Sequence, residues 1–323
     1  MMRQAGRYLP EYQAVRAHHS FLEICKTSEL AAEVSIQPHR AVGVDAIIVF
    51  SDILIVAEAM GMPLAVPDSG PVLGHPVRDV AAVRALRDFD PERETRFVGD
   101  AIRAIGKEAG PNVPVIGFAA APWTLACYMI EGRTRGDVSR AKQMLRENPE
   151  LTRDLLSRIA AVTAKYLRMQ ISAGASVVQL FDTWAIQLSK ADYDAFELPA
   201  TRQIIEALSR ENVPKILYAK GSNVHLESMA KSGADVLSVD WHTDLAEARR
   251  RAGPRIALQG NVDPQTMLGP VDGIRRAARE AVEKTGGVGH ILNLGHGILP
   301  NTPVENARAF VETGKTAMAV ARR

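Results

Sequence analysis

The stretch SVVQLFDTWA, residues 176–185, runs through consecutive apolar and β-branched positions, interrupted only by Gln179, and then turns polar at Asp182-Thr183. A strand with one face in water alternates polar and apolar residues, whereas a run without alternation belongs to a strand covered on both faces, as in a parallel sheet. Further runs share that character: AIIVF (46–50), PVIGF (114–118), KILYA (215–219), VLSV (236–239), IALQG (256–260) and HILNLG (290–295). Each is followed by a helical pattern. Seven strands alternating with helices call for a parallel sheet, and if the opening MMRQAG is the tail of an eighth, the count fits a (β/α)8 barrel, a fold of about 250 residues before insertions. The predicted fold is therefore α/β, a single TIM barrel over residues 1–323 with its cleft at the C-terminal ends of the strands. A doubly wound open sheet is the alternative, but no strand leads into a Gly-x-Gly-x-x-Gly turn and no Walker-type loop occurs.

The pairs Asp90-Pro91, Asn148-Pro149, Asp263-Pro264 and Thr302-Pro303 each set a capping side chain before a proline suited to the first helical turn. Thr302 and Glu305 have the spacing of a capping box. The segment PLAVPDSGPVLGHP (63–76) is too rich in proline and glycine for a helix and reads as a hairpin or a lip over the barrel mouth.

With 323 residues and 46% hydrophobic content, the chain can bury one large core. Its net charge of +2 is the difference between 39 basic and 37 acidic residues, so no overall field points to nucleic acid and any positive site is local. Cys25 and Cys127 cannot make a disulfide framework, no signal-peptide pattern opens the chain, and the most apolar stretch (46–62) is interrupted by Asp52 and Glu58. A reducing cytoplasm without membrane attachment is the expected setting. The cysteines lie far apart with no histidine grouped beside them, and the adjacent His18 and His19 would face different sides of a helix, so no metal site is expected.

In a barrel, chemistry sits just past the strands' C-terminal ends. Those positions hold Arg3, Gln4 and Arg7, then Ser51-Asp52, Tyr128, Asp182-Thr183-Trp184, Lys220 to Asn223, Asn261 and Asp263, and His296 between Gly295 and Gly297. Arg3 and Arg7, with Gly6 between them, form either an anion clamp or a solvated, fraying start. Asp52 is a helix cap or a catalytic carboxylate, and Tyr128 a core residue or a functional hydroxyl. Flanking glycines strip packing from His296 and expose its ring. Lys220 is a Schiff-base lysine or a solvated or phosphate-facing one, and Asp263 is most simply an N-cap. No carboxylate pair suggests glycoside hydrolysis, and no nucleophile elbow appears.

The segments MRQAGRYLPEY (2–12), FSDIL (50–54), APWTLACYMIEG (121–132), AGASVVQLFDTWA (173–185), GNVDP (260–264) and NLGHGILPNTP (293–303) resemble, in this order and across essentially the whole chain, the uroporphyrinogen decarboxylase family of haem and chlorophyll biosynthesis. The resemblance implies a (β/α)8 domain, usually a homodimer, that removes carbon dioxide from the four acetate arms of uroporphyrinogen III to give coproporphyrinogen III without a cofactor. It further implies that Arg3, Gln4, Ala5, Gly6, Arg7 and His296 bind substrate carboxylates and that Asp52 is the central catalytic carboxylate. Tyr128 and Thr183 would present substrate-binding hydroxyls, and Phe181 would lie against the macrocycle.

A ring of pyrrole N–H groups edged by carboxylates calls for cations at the rim, here Arg3, Arg7, Arg16 and His296, and one acceptor at the centre, Asp52. The proton donor is Tyr128, His296 or a bound water, because an arginine is a poor acid. Thr183 stands where the family usually has serine, and Ile186 where glycine is expected, placing bulk at that strand's end. Homologues also carry residues ahead of Met1, including the rest of the first strand, so a leading segment is expected to be missing. Rival readings are a corrinoid-dependent methyltransferase of the same superfamily, which needs a zinc-thiolate centre, a non-catalytic tetrapyrrole carrier, and a phosphate-binding aldolase barrel relying on Lys220.

Overall fold

A computed structural model describes residues 1–67, 70–133 and 136–321. All seven apolar runs contain strands, and these form one sheet: β1 (Ile47–Ile48), β4 (Val115–Ala120), β5 (Val177–Asp182), β6 (Lys215–Ala219), β7 (Val236–Val239), β8 (Ala257–Val262) and β9 (His290–Leu294), in that spatial order. Every neighbouring pair is parallel, with registers such as Phe181 opposite Tyr218. Parallel neighbours cannot be joined by a tight turn, so helices fill the crossovers. The sheet curls on itself. Gln259 on β8 donates to Ser238 Oγ on β7 (2.9 Å) and to Gln179 Oε1 on β5 (3.4 Å), although two strands separate β5 from β8 in the sheet.

Helices cover the outside by burying one stripe. The helix Arg96–Ala109 buries Val98, Ala101, Ile102 and Ile105, the i, i+3, i+4, i+7 set of one face. Buried side chains from Ala5 to Phe310 form one contiguous cluster.

The opening residues are not a strand. Residues 1–9 form turns, with Arg3 in the left-handed region at φ 57° and Gly6 packed so closely on the Arg3 carbonyl that a Cβ would sit 2.8 Å from it. Yet this segment occupies the open edge of β1. Ile47 and Val49 donate to β4, leaving Ala46 and Ile48 facing the other way. There the side-chain amide of the buried Gln4 donates to Ala46 O (3.0 Å) and accepts from Ile48 N–H (3.2 Å), the two bonds a parallel strand's peptide would make. Gln170 does the same for β4 past its short pairing with β1, bonding both the N–H and the C=O of Phe118 at 2.8 and 3.0 Å.

The proline- and glycine-rich segment is a hairpin of β2 (Leu64–Ala65) and β3 (Val72–Leu73), antiparallel; residues 68–69 lie outside the described residues. It docks on the C-terminal end of the helix Pro122–Glu131, where Leu73 N–H donates to Gly132 O (2.6 Å) and Val77 N–H to Met129 O (2.9 Å), occupying carbonyls that the helix end leaves free.

The capping signals divide. Asp90 and Asp263 accept from the backbone two residues on, as expected of caps. Asn148 makes no side-chain cap bond, and Thr302 Oγ1 is buried without a partner among the described residues, the last helix starting later, at Val304. The reciprocal capping box lies elsewhere, at Ser20 and Glu23. Among the described residues no helix is long and apolar enough to cross a membrane.

Gln4→Ala leaves Ile48 N–H and Ala46 C=O without their side-chain partner at a buried edge. It is expected to cost about 1–3 kcal/mol in a urea unfolding titration, with Gln4→Glu also destabilising because it lacks the donor.

Candidate active site

The seam holds the two arginines at the edge of the curled sheet. Arg3 and Arg7 are exposed, and among the described residues neither pairs with a carboxylate. Ala5 is buried in the core, and Gly6 is required by the turn itself. Arg16 does not face solvent freely, since its guanidinium donates to His19 O. The chain that leaves β9 meets this segment, with Ile298 N–H donating to Met2 O (3.1 Å) and Gly297 lying so close to Arg3 that a Cβ there would come within 2.8 Å of Arg3 Cδ.

That contact and its counterpart revise the reading of His296. Gly295 is needed because a Cβ would sit 2.5 Å from Trp241 N, so both glycines answer to close approach rather than to exposure of the ring. The imidazole is packed edge-on between Tyr218 (6.0 Å between centroids) and Trp241 (6.4 Å), and its Nε2 is buried without a hydrogen-bond partner among the described residues. Burial, then the positive charges of Arg3 and Lys220, lower its pKa to about 4. His296 is therefore a neutral hydrogen-bonding group at neutral pH and not a rim cation.

Tyr218 continues a row of aromatic rings along the inside of the sheet, in contact with the buried Phe181, which in turn meets Phe118 edge-on at 5.6 Å. The row gives the cleft an apolar wall. Thr183 and Trp184 follow β5, both partly exposed, and the Trp184 ring lies 6.3 Å from that of Tyr128. Tyr128, half-buried on the helix after β4, has its pKa raised by burial first and then by the Asp52 carboxylate, while Trp184 and Arg3 act in the opposite direction. Asp52, Arg3 and Trp184 thus all lie near enough to act on the Tyr128 hydroxyl.

Asp52 follows β1. Its Oδ1 accepts from Leu54 N–H (2.7 Å), the residue that precedes the helix Ile55–Ala59, although it is not that helix's N-cap, and burial raises its pKa to about 6 against the opposing pull of that bond, with Glu58 adding to the rise. Lys220 follows β6, its N–H held by Asp182 O (3.0 Å), and the next N–H, that of Gly221, is held by Asp240 (2.6 Å). Asn261 is committed to the carbonyls of Asp240 (2.8 Å) and Thr243 (2.5 Å). Ile186 stands 45% exposed against Gly221, putting apolar bulk at this end of β5 as expected.

Three groups escaped the sequence reading. Asp240 and Trp241 follow VLSV and would have been found by applying the strand-end rule to that run as well. Glu197 gave no such signal, because its approach to the N-terminus of the helix Pro122–Glu131 is purely tertiary. Taken together, the site residues offer cations that pair with no carboxylate among the described residues, an apolar aromatic wall, hydroxyl and imidazole donors, and one carboxylate whose pKa is raised to about 6. They are suited to an apolar ring bearing anionic arms.

Residues 1–317 match the family described as uroporphyrinogen decarboxylase (URO-D). The chain is 48% identical over 314 residues to uroporphyrinogen decarboxylase of Geobacter metallireducens, covering 97% of this chain and 92% of that protein. It is 47% identical over 326 residues to that of Gloeobacter violaceus, covering 100% and 94%. Among solved structures, a methyltransferase from Methanosarcina mazei superposes with a TM-score of 0.76 at 25% identity, covering 91% of this chain and 87% of that one. A B12-independent methionine synthase from a Shewanella species gives 0.63 at 11% identity, covering 94% and 91%, a likeness of fold alone.

The raised pKa of Asp52 makes it a group that destabilises the fold when ionised. Below about pH 4 it is protonated in folded and unfolded chains alike. As pH rises towards 6 the unfolded chain, at its ordinary 3.8, loses the proton first, so stability falls. Asp52→Asn is expected to stabilise the protein by about 1–3 kcal/mol in urea unfolding at pH 8, the gain vanishing towards pH 4.

Proposed function

The chain belongs to the uroporphyrinogen decarboxylase family, and we infer from its cleft how it carries out that reaction. It is a carboxy-lyase of porphyrin biosynthesis that converts the acetate arms of uroporphyrinogen III to methyl groups, giving coproporphyrinogen III. The reading further takes the seven-stranded curled sheet, with the Gln4 segment at its open edge, as a single (β/α)8 domain over residues 1–323, working as a homodimer in the cytoplasm. The observation that carries the site assignment is that the Tyr128 hydroxyl lies within the influence of both the Asp52 carboxylate and the Arg3 guanidinium.

Breaking the bond between an acetate methylene and its carboxylate releases carbon dioxide and leaves an electron pair on the methylene carbon. If the adjoining pyrrole has first been protonated, the ring receives that pair. A proton delivered to the methylene carbon then completes the methyl group, and loss of the ring proton restores the pyrrole. Ionised Asp52 accepts the pyrrole N–H groups at the centre and stabilises the positive ring, a preorganised electrostatic effect in apolar surroundings. Arg3 and Arg7 hold arm carboxylates at the rim, with the Gln4-Ala5-Gly6 turn setting their spacing. His296 donates a hydrogen bond as a neutral imidazole. The hydroxyls of Tyr128 and Thr183 orient the reacting arm, and Phe181 packs against the macrocycle. The proton comes from Tyr128, His296 or a water between them.

The Methanosarcina neighbour raises the methyltransferase alternative. That chemistry calls for thiolate and imidazole ligands, but Cys25 and Cys127 are both buried, and among the described residues no three His, Cys, Asp or Glu side chains gather in metal-binding geometry.

The test is anaerobic incubation with uroporphyrinogen III, then oxidation and chromatography of the porphyrins by carboxylate number. Seven-, six-, five- and four-carboxylate species are expected in turn. Asp52→Asn is expected to bind substrate and turn over on the order of 10²–10³-fold more slowly. Near-normal turnover by that variant overturns the role given to Asp52.

A further inference from the structure

Beneath the cleft lies a buried polar group that the mechanism above does not use. Trp123, Thr124, Asp182 and Glu197 are each fully shielded from solvent. Glu197 accepts from Trp123 N–H through Oε2 (2.7 Å) and from the Thr201 hydroxyl through Oε1 (2.5 Å). Asp182 accepts the Thr124 hydroxyl proton through Oδ1 (2.6 Å). Each carboxyl thus holds one residue of the Trp123-Thr124 pair. The pair in turn grips both ends of a single residue: Trp184 N–H donates to Thr124 Oγ1 (3.0 Å), and Trp123 Nε1–H donates to Trp184 O (3.2 Å). The ring of the residue so held lies against Tyr128, which sits one helical turn after Thr124 on the same helix.

The hydroxyl direction is determined by this arrangement. A threonine has one hydroxyl proton, and because it points at Asp182, the lone pair is left for Trp184 N–H. Two neighbouring buried carboxyls are costly, and burial drives the pKa of both upward, Glu197 further because Asp182 is close. A cost of that kind is sustained where it fixes a geometry.

We propose that Trp123, Thr124, Asp182 and Glu197 form a clamp that positions Trp184 against Tyr128 for decarboxylation, with Thr124 as the link through which the buried carboxyls act on the cleft. The proposal rests on the substrate-facing role given to Tyr128. The clamp residues are positioning residues and touch no substrate.

The experiment compares Thr124→Val with Thr124→Ser, each alone and combined with Tyr128→Phe. Valine keeps the shape and removes the hydroxyl, whereas serine keeps the hydroxyl. Thr124→Val is expected to lower kcat roughly ten- to a hundredfold with little change in KM, as misplacement of a reacting group does, and Thr124→Ser to restore most of it. In the Tyr128→Phe background the valine substitution is expected to cost far less, since the group it misplaces has lost its hydroxyl. Near-ultraviolet circular dichroism, read without substrate, is expected to lose tryptophan signal in Thr124→Val but not in Thr124→Ser, with the far-ultraviolet spectra unchanged. Full kcat in Thr124→Val, equal defects in both variants, or a valine penalty undiminished on Tyr128→Phe overturns the clamp. If Tyr128→Phe turns over like the unsubstituted enzyme, the reading of Tyr128 fails instead, and the dichroism still decides the clamp: matching spectra for the two Thr124 variants reject it.

Discussion

A parallel sheet that curls leaves one edge of its first strand facing inward, and the polar groups along that edge must find partners or the fold is undermined. Here the partner is a side chain. Gln4 supplies both a donor and an acceptor to the free edge of β1. A glutamine amide has the same two groups as a peptide and needs no strand around it, which frees the surrounding backbone to turn sharply at Arg3 and Gly6. The arginines of the rim are therefore held by the same device that satisfies the sheet edge. The sheet edge and the two arginines share one anchor, with Gln4 turned inward while Arg3 and Arg7 face out.

The cleft combines groups whose demands are only partly met within the protein. Asp52 is held in surroundings that resist its ionisation, His296 is held neutral beside two cations, and the buried nitrogens His296 Nε2 and Trp184 Nε1 have no hydrogen-bond partner among the described residues. Such local inconsistency is characteristic of sites that reserve their interactions for a ligand. The surrounding shell is the opposite: Asp240 accepts from Gly221, Ser222, His242 and Thr243, and Asn261 is committed at both of its N–H groups. A saturated frame supports an unsaturated centre.

How much of this was legible follows from the range of the interactions involved. The seven strands could be read because burial on both faces writes itself into consecutive residues, and the hairpin because proline and glycine exclude the alternatives locally. The opening segment reads as the tail of a strand but forms turns, because a side-chain amide imitating a peptide leaves no periodic trace. Asn148 and Thr302 carry the right residue types for caps, yet the helices beside them do not use them. Asp52 and Tyr128 stand out by position after a strand or at its helix. The charge state of His296 did not, because the rings that bury it come from Tyr218 and Trp241, far away in the chain.

The hairpin of β2 and β3 and the residues that follow it are tied to the helix that carries Tyr128 by backbone bonds, through Gly132 O and Met129 O. Arg78 adds a further bond to Ile130 O (3.0 Å). Peptide-to-peptide bonds have little slack, whereas contacts between long side chains have several rotatable joints. The hairpin strands and the Tyr128 helix are therefore joined with little play between them, so that the position of one is set by that of the other.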